Sequence, residues 1–149
     1  MEATALLKQD HTKVKALFKK YAAAGDRAAQ TKQRLFDEIK AELEVHAAIE
    51  EEIFYPAVQK VRSKDAKDLV LEALEEHKVV KTLLEEITAL TPDDDVFDAK
   101  MKVLQESVEH HADEEEKEMF AEAKKGIPEE QRQELGASME AQKESLKAA

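Results

Sequence analysis

The chain contains 149 residues, carries a formal net charge of −11 and has no cysteine. Without cysteine there can be no disulfide, thiolate metal site, iron–sulfur cluster or cysteine nucleophile. The negative charge disfavours nucleic acids and anionic membrane surfaces as partners, since both repel an acidic protein. No apolar run is long enough to span a membrane and the first residues do not resemble a signal peptide, so we expect a cytoplasmic protein.

The composition and the positions of turn-forming residues predict an almost entirely helical chain. Ala, Glu, Lys and Leu are abundant, whereas glycine and proline occur only three times each. Four long helices are expected over about 4–24, 27–31 to 62, 65–90 and 93–125, with a shorter one over 128–147. The breaks between them lie at Gly25-Asp26, Ser63-Lys64-Asp65, Thr91-Pro92 and Gly126-Ile127-Pro128.

Two features near helix ends are expected to shape the helices locally. Thr91 is expected to cap the fourth helix, with Pro92 in its first turn. Pro56 is expected to kink the second helix, because proline lacks the amide hydrogen that a helix interior uses. The whole pattern predicts an all-α fold: an up-down-up-down four-helix bundle over residues 1–125 with a short additional C-terminal helix in 126–149. That helical extension would pack on the bundle or on a partner chain.

Each long helix has an apolar stripe at helical spacing that is interrupted by polar residues. The interruptions are four histidines and two glutamates: His11, His46, Glu50, His77, His111 and Glu115. A single histidine on such a stripe is usually a core residue with one hydrogen-bond partner. Six polar groups in one small core need shared compensation, because burying an ionised carboxylate without a partner is costly. Metal cations would provide it, since imidazole nitrogens and carboxylate oxygens are suitable ligands.

The spacing of these residues repeats in the two halves of the chain. His46 and His111 are each followed four residues later by a glutamate, which places both side chains on one helix face. His11 precedes His46 by 35 residues, and His77 precedes His111 by 34. Two hairpins of the form H…HxxxE, packed about a pseudo-twofold axis, would each bring two histidines and one glutamate to a shared site.

Other metal and catalytic motifs are absent from the sequence. The HExxH pattern of zinc peptidases does not occur, and neither does the ExxH pattern that ferritin-like di-iron bundles use. There is no glycine-rich phosphate loop and no recognisable serine or threonine nucleophile motif. The metal hypothesis therefore depends on the repeated H…HxxxE pattern.

The order H, HxxxE, H, HxxxE in a four-helix bundle resembles the hemerythrin-like, or HHE cation-binding, family. The resemblance covers about residues 5–122 and includes VHAAIEEEIFYP around His46 and EHHADEEEKEMF around His111. It implies a di-iron centre, with two iron ions bridged by an oxo or hydroxo group. In that arrangement His11 and His46 would bind one iron, His77 and His111 the other, and the two motif glutamates would bridge them.

The sequence departs from the oxygen-carrying members of the family in two respects. Carriers have a second histidine one turn from the third-helix histidine, whereas Ala73 and Lys81 occupy those positions here. Carriers also place the fourth-helix carboxylate five residues after its histidine, so Glu116 competes with Glu115 for the bridging role. Glu115 fits the internal repeat better. With fewer histidines, the site should hold an exchangeable solvent ligand more readily.

Several residues near the motifs are expected to lie outside the site. His110 sits about 100° around the helix from His111 and is expected at the surface or beside a ligand. Tyr55 is expected to point away from the histidine of its own helix, and Tyr21 to lie about 15 Å along the first helix from the site. The remaining acids are expected to form a solvated face: Glu51, Glu52, Asp113, Glu114 and Glu118.

The ligand set favours iron, although manganese or zinc could also bind. The leading hypothesis is a non-heme di-iron protein that binds or senses dioxygen or a related small oxidant, namely peroxide or nitric oxide. One alternative is a di-iron enzyme that consumes peroxide or nitric oxide. The others are an iron storage or delivery module, a helical interaction module that uses residues 128–147, and a metal-free bundle stabilised by packing alone.

Overall fold

The structure, a computed structural model, describes residues 1–25 and 28–148. Its helices are α1 (Ala3–Ala23), α2 (Ala29–Ile49), α3 (Tyr55–Gln59), α4 (Lys64–Thr88), α5 (Phe97–Glu114), α6 (Phe120–Gly126) and α7 (Glu129–Ala148). Two π-helical turns, Glu50–Phe54 and Glu115–Met119, join α2 to α3 and α5 to α6. The described residues thus form five helical segments without a strand, which confirms the predicted all-helical fold. The predicted break at Asp26, the earliest predicted start of the second helix at Arg27, and Ala149 lie outside the described residues.

Polar side chains at two helix starts supply hydrogen bonds that the first turn cannot make itself. Glu2 accepts hydrogen bonds from the amides of Thr4 and Ala5 at the start of α1, at 3.0 and 3.3 Å. Ser63 accepts one from the amide of Ala66 at the start of α4, at 3.2 Å. These caps satisfy amides that would otherwise have no partner, so they fix where the two helices begin.

The predicted start of the fourth helix is wrong. The helix α5 begins at Phe97 rather than near residue 93, and Thr91 does not cap it. The Thr91 amide instead donates to the Asp94 carboxylate at 2.6 Å, and the Asp94 amide donates to the Thr91 carbonyl at 2.9 Å. Pro92 suits the second position of such a turn, so these residues close a turn before the helix begins.

A π-helical turn lies directly before Pro56, where the sequence predicts a kink, but such a turn does not require proline. Pro56 lies in the first turn of α3, where the missing amide hydrogen is tolerated. In the π-helical turn before it, the Tyr55 amide reaches the carbonyl of Glu50, five residues earlier. The second π-helical turn contains no proline, and there the Phe120 amide reaches the carbonyl of Glu115. Each π-helical turn therefore begins at the glutamate of an HxxxE motif.

A layer of polar residues divides the hydrophobic core into two clusters. One cluster contains Leu7 and Ile49, and the other contains Val14 and Leu43. On α1, His11 lies between Leu7 and Val14, and on α2 the histidine lies between Leu43 and Ile49. The apolar stripes are thus interrupted at the same level of the fold, which brings the polar residues of different helices together.

The long helices pack against their neighbours in chain order. The helix α1 packs on α2, α4 packs on α5, and α1 also contacts α5. The C-terminal helix α7 lies against α1, α2 and the first π-helical turn. Within the described ranges, no helix is long and apolar enough to cross a membrane.

The helix α7 is held by one fully buried side chain and by ion pairs. Met139 is 0 % exposed. Lys147 pairs with Glu42 of α2 at 3.3 Å. The Lys143 ammonium contacts the buried carboxylate of Asp10 on α1. This last contact places a charge from α7 next to the polar layer.

The close approach of α7 to the N-terminus generates a prediction about Gly136. A Cβ there would overlap the Met1 carbonyl oxygen and lie 3.0 Å from the Ala3 nitrogen. Gly136→Ala is therefore expected to lower the free energy of unfolding by about 1–3 kcal/mol, the usual cost of overpacking, despite the better helix propensity of alanine. Gly25→Ala is the matched control, because no atom of the described chain lies within 4 Å of its Cβ. Equal thermal midpoints for the two variants would contradict this packing of α7.

Candidate metal centre

All six predicted ligand residues lie together in the polar layer. They form two groups of four that share both glutamates: His11, His46, Glu50 and Glu115 in one group, and Glu50, His77, His111 and Glu115 in the other. Within each group, one nitrogen or oxygen atom per residue lies within 4.8 Å of the others. This division is the same as the one that the family resemblance implies, with one histidine pair on each side and both carboxylates between them.

The Glu50 carboxylate links the two hairpins. Its side chain is 0 % exposed, and its Oε1 atom lies 3.2 Å from Nε2 of His46 and 3.0 Å from Nε2 of His77. The first approach follows from the four-residue spacing on one helix, and the second from the packing of α4 against the first hairpin. A single carboxylate therefore faces one histidine from each half of the chain.

Glu115 has the equivalent position on the other side. Its Oε2 atom lies 3.2 Å from Nε2 of His111 on the same helix, and its Oε1 atom lies 3.0 Å from Nε2 of His11 on α1. The neighbouring Glu116 bonds to the opposite nitrogen of His11, Nδ1, at 2.7 Å and is partly exposed. Of the two competing glutamates, the structure places Glu115 at the centre and Glu116 outside it.

Each of the four histidines is held from outside by a further carboxylate. The Nδ1 atoms pair with four acids, His11 with Glu116, His46 with Asp10, His77 with Glu51 and His111 with Glu76, at 2.7, 3.0, 2.7 and 2.7 Å. An acid on Nδ1 accepts its hydrogen and leaves Nε2 free to offer a lone pair. Because all four Nε2 atoms face the inner glutamates, the rings have the orientation that metal-binding histidines need.

Sequence reasoning missed these outer acids, although they follow the internal repeat. Asp10 and Glu76 each precede the first histidine of a hairpin, and Glu51 and Glu116 each follow the glutamate of an HxxxE motif. Glu51 is exposed, as predicted for an acid of the solvated face, with 46 % of its side chain accessible. It also bonds to His77, which the prediction did not include. The recurrence of an acid at both positions in both halves is the signal that could have found them.

Tyr55 lies at the centre of the site, so the prediction that it points away is wrong. Its hydroxyl lies 2.5 Å from Glu115 and 3.2 Å from Glu50. It also lies 3.1 Å from Nε2 of His77 and 3.3 Å from Nε2 of His111. In a regular α-helix, five residues would turn this side chain about 140° away from Glu50. The wider π-helical turn returns it to the same face.

The second π-helical turn brings Phe120 to the equivalent position on the other side. Phe120 lies five residues after Glu115, as Tyr55 lies five residues after Glu50. Its ring is parallel to the imidazole of His11, with the ring centroids 6.1 Å apart. The two halves therefore share an aromatic ring at this position, but only one of them has a hydroxyl.

Asp10, the outer partner of His46, has a cationic partner of its own. The Lys143 ammonium of α7 contacts its second carboxylate oxygen. Burial alone would raise the pKa of Asp10, but His46 and Lys143 together lower it. Asp10 is thus held in its ionised form. The equivalent acid in the other half, Glu76, has no such lysine within the described residues.

Glu76 instead belongs to a third, more exposed group of possible ligands. One of its oxygens lies 3.9 Å from Nε2 of His110, and that nitrogen lies 3.2 Å from Glu114. The His110 side chain is 66 % exposed. His110 therefore lies at the surface, beside the outer partner of His111, and apart from the two groups that share the buried glutamates.

Two buried polar atoms inside the site lack a partner in the described part of the chain, and they indicate what the site could bind. Nε2 of His46 and Oε2 of Glu50 are buried and have no hydrogen-bond partner among the described residues. The 3.2 Å approach of the same nitrogen to Oε1 of Glu50 does not have hydrogen-bond geometry. Because buried polar atoms are almost always paired, each of these atoms is expected to have a partner that the described chain itself does not supply. A divalent cation satisfies imidazole and carboxylate donors alike, so the residues fit a cation in each group of four.

The charges in the site shift the protonation of its imidazoles. Burial alone would lower the pKa of His46, but Glu50 and Asp10 raise it to about 10. Burial would likewise lower the pKa of His111, but Glu115 and other carboxylates raise it to about 12. For Glu50, burial would raise the pKa, but the neighbouring imidazoles hold it well below its usual range. In the absence of a cation, the raised pKa values of His46 and His111 favour their protonated forms, which balance the buried carboxylates.

Residues 2–123 match the protein family described as the Hemerythrin HHE cation binding domain, and the chain belongs to that family. A similar crystal structure is that of a Hemerythrin HHE cation binding domain-containing protein, the Rv2633c homolog from Mycobacterium kansasii. That chain is 27 % identical, with a TM-score of 0.79 over 97 % of this chain and 89 % of the other. The family resemblance inferred from the sequence is confirmed.

Related sequences occur in several organisms. The uncharacterized protein Rv2633c of Mycobacterium tuberculosis is 30 % identical over 150 residues, which covers 99 % of this chain and 88 % of the relative. A protein named DNA nickase from Nostoc sp. is 30 % identical over 141 residues, or 95 % of this chain. An uncharacterized hemerythrin-like protein of Schizosaccharomyces pombe is 26 % identical over 132 residues, or 89 % of this chain. The chain spans only 39 % of the nickase and 64 % of the yeast protein.

The raised histidine pKa values predict how the stability of the metal-free protein depends on pH. A histidine whose pKa is raised by folding stabilises the fold fully below its unfolded pKa and loses that contribution as pH rises through its folded pKa. For His46 this window runs from 6.5 to about 10. Chelator-treated protein is therefore expected to lose up to about 1.4 kcal/mol of unfolding free energy per pH unit for each such histidine.

Denaturant melts at about pH 7 and about pH 9 measure this loss. Cation-loaded protein is the control, because its imidazoles would already be neutral and its stability should change little between the two pH values. Equal stability of the chelator-treated protein at both pH values would show that the buried carboxylates are not balanced by protonated histidines.

Proposed function

We propose that this chain is a non-heme di-iron protein that binds or senses dioxygen or a related small oxidant, hydrogen peroxide or nitric oxide. The proposal depends on the two groups of four, each with two inward Nε2 atoms and a share of both buried carboxylates. Residues 1–125 would form an up-down-up-down bundle around this centre. The proposed ligands are His11, His46, Glu50, His77, His111 and Glu115.

Iron is the cation that best suits both the donor set and the proposed partners. Sites with two histidines, carboxylate oxygens and open positions are typical of non-heme iron. Manganese accepts the same donors, and so does zinc, but zinc has no redox chemistry to offer an oxidant. When bound, two iron ions would supply redox electrons and open coordination positions for a small molecule. The membership in a cation-binding family supports a metal at this position.

The chain's own residues would hold such a centre in place and keep bulk water away. Glu50 and Glu115 each face histidines of both hairpins, so cations between them would connect the two halves of the fold. The outer acids fix the rotation of the imidazole rings, which controls the position of every Nε2 atom. Phe54 and Phe120 belong to the core cluster next to the site and exclude solvent from that side.

A second candidate is an enzyme on the same scaffold that consumes peroxide or nitric oxide. The observation that favours it is the Tyr55 hydroxyl, which lies among the proposed ligands at 2.5 Å from Glu115. Burial, together with Glu50 and Glu115, raises the pKa of Tyr55 well above its usual range, so the hydroxyl keeps its proton. A protonated hydroxyl at this position could donate a hydrogen bond or a proton to an oxygen atom of the reacting molecule.

The nickase relative gives no reason to propose nucleic acid as a partner. This chain matches 39 % of that protein, so its name describes a longer molecule. The net charge of −11 opposes binding to a phosphate backbone. The proposed partner is therefore a small molecule, with neither nucleic acid nor a membrane.

The proposed ligands predict the iron content of the protein. Wild-type protein produced in iron-rich medium is expected to contain about two irons per chain by elemental analysis. His46→Ala and Glu50→Ala each remove a proposed ligand and are expected to reduce the content to about one iron or less. His110→Ala is the matched control, because it removes an exposed histidine next to a proposed ligand and should keep the full content.

Thermal melts provide a second measurement of the same prediction. A cation that binds only the folded protein raises the melting midpoint, so a chelator should lower the midpoint of the wild type and of His110→Ala. The same chelator should have little effect on His46→Ala. The di-iron proposal would be refuted if the wild-type protein contained no iron, or if both ligand variants kept the full iron content.

Tyr55→Phe separates the enzyme from the binding protein. The variant keeps the aromatic ring, as at Phe120, and should retain its cations because all six proposed ligands remain. If Tyr55 supplies a proton, consumption of hydrogen peroxide or nitric oxide by the ferrous protein should fall by about 10²-fold, measured by stopped-flow absorbance. Tyr21→Phe is the control, because Tyr21 belongs to the other core cluster and its hydroxyl bonds to Asp98, away from the site. Equal rates for the two variants would favour binding or sensing over catalysis.

A further inference from the structure

A cavity of about 1150 Å³ lies beside the candidate metal centre. Its exposed lining residues belong to α2, the first π-helical turn and α4, so its mouth lies between the two hairpins. Folded interiors rarely contain voids much larger than a water molecule. A space of this size is therefore a feature that needs an explanation.

The inner wall of the cavity is apolar and comes from four helices. Val14 of α1, Leu43 of α2, Leu84 of α4 and Val108 of α5 line it, and all four side chains are buried. The imidazoles of the proposed ligands border the same space: His11, His46, His77 and His111. A molecule in the cavity would thus have an apolar wall around it and the candidate metal centre at its end.

The volume is far larger than the proposed small oxidants require. A water-sized molecule takes up about 30 Å³ in a liquid, and dioxygen, hydrogen peroxide and nitric oxide are only slightly larger or smaller. Pockets that hold organic ligands have volumes of about 300–1,000 Å³ and mostly apolar walls with a few polar groups at one place. The cavity has the size and the lining of the second kind of site.

We propose that this cavity binds an uncharged organic hydroperoxide, R–OOH, with its hydrocarbon part against the apolar wall and its –OOH group towards the four histidines. The assignment of this molecule as a substrate rests on the proposed di-iron function. The binding of an apolar molecule in the cavity does not depend on it.

The charges at the mouth favour an uncharged ligand. On α2, Lys40 and Glu44 lie 3.9 Å apart, and on α4, Lys78 and Glu75 lie 3.1 Å apart. The lining also contains Lys15 and Lys81, and Glu51, Glu52 and Glu85. Charges of both signs are thus interspersed around the mouth, with a slight excess of acids, so it offers no positive patch to an anion and no purely negative one to a cation. Because the inner walls are buried side chains of four helices, the space is a closed-ended cleft suited to a small molecule, not an open face for a partner helix.

The chemistry of such a ligand is consistent with two iron ions. Reduction of R–OOH breaks its O–O bond, takes up two electrons and two protons, and gives R–OH and water. With two ferrous ions bound at the six proposed ligands, the site would supply the two electrons, and the two protons would come from solvent water. The hydrocarbon part takes no part in this step and serves to bind the molecule.

Fluorescence titration with N-phenyl-1-naphthylamine, an uncharged apolar dye, tests the cavity. The titration uses full-length protein as isolated and zinc-loaded protein, in which no electron is available to consume a hydroperoxide. We expect about one dye per chain, displaced by cumene hydroperoxide but not by the same concentration of hydrogen peroxide.

Two variants fill the cavity from opposite walls. Ala47→Phe on α2 and Val80→Phe on α4 are each expected to weaken dye binding at least about tenfold. If one of the two variants fails to fold, the other still tests the cavity. Val103→Phe is the matched control, because Val103 is exposed on α5 and does not line the cavity. Circular dichroism checks that each variant remains helical.

The outcomes separate the cavity from the metal proposal. Wild-type dye affinity in both filling variants would overturn the cavity as the binding site, and dye that cumene hydroperoxide cannot displace would overturn the ligand class. A protein that binds no iron or zinc, yet binds the dye as described, would refute the di-iron function and leave the apolar site in place. Cation binding without any dye binding would refute the apolar site and leave the di-iron function in place.

Discussion

Two carboxylates buried in the middle of a helical core impose the main constraint on this protein. Glu50 and Glu115 are almost inaccessible to solvent, and an ionised carboxylate in such a place is strongly destabilising unless opposite charge or hydrogen bonds surround it. The four imidazoles supply these contacts, and each imidazole is itself held by an outer acid. The division of the hydrophobic core into two clusters follows, because a layer this polar cannot be covered by apolar side chains.

The internal repeat explains how each half of the chain contributes the same kinds of polar residue to the layer. It also shows where the two halves differ. The outer acids, the inner glutamates and the π-helical turns occur in both halves at corresponding positions. Within the part of the chain that the structure describes, two groups have no counterpart in the other half: the hydroxyl of Tyr55, which Phe120 lacks, and the ammonium of Lys143 from α7. A centre in this framework would therefore have two chemically different sides, one with a proton donor and one with a neutralised outer acid.

The helical fold, the family and the gathering of the six inner residues could be predicted from the sequence, because helical periodicity and the fourfold spacing fix which side chains share a face. The position of Tyr55 could not, since it depends on a π-helical turn that periodicity at 3.6 residues does not contain. The contact of Glu51 with His77 could not be read from one helix either, because it joins two. Thr91 shows a third limit: the side chain of Asp94 competes for the local amide, and a turn forms where a cap was predicted.

A proton and a bound cation would compete for the same nitrogens in this core, and this competition would connect the stability of the protein to its proposed chemistry. Because the pKa of His46 is about 10 without a cation, a metal ion that binds near neutral pH must displace a proton from this site. The same carboxylates that raise this pKa would also attract a cation, so the same contacts would stabilise the protonated and the cation-bound forms. The outer acids orient the imidazoles in either form. Phe54 and Phe120 keep water from one side of this polar layer, which strengthens these charge interactions.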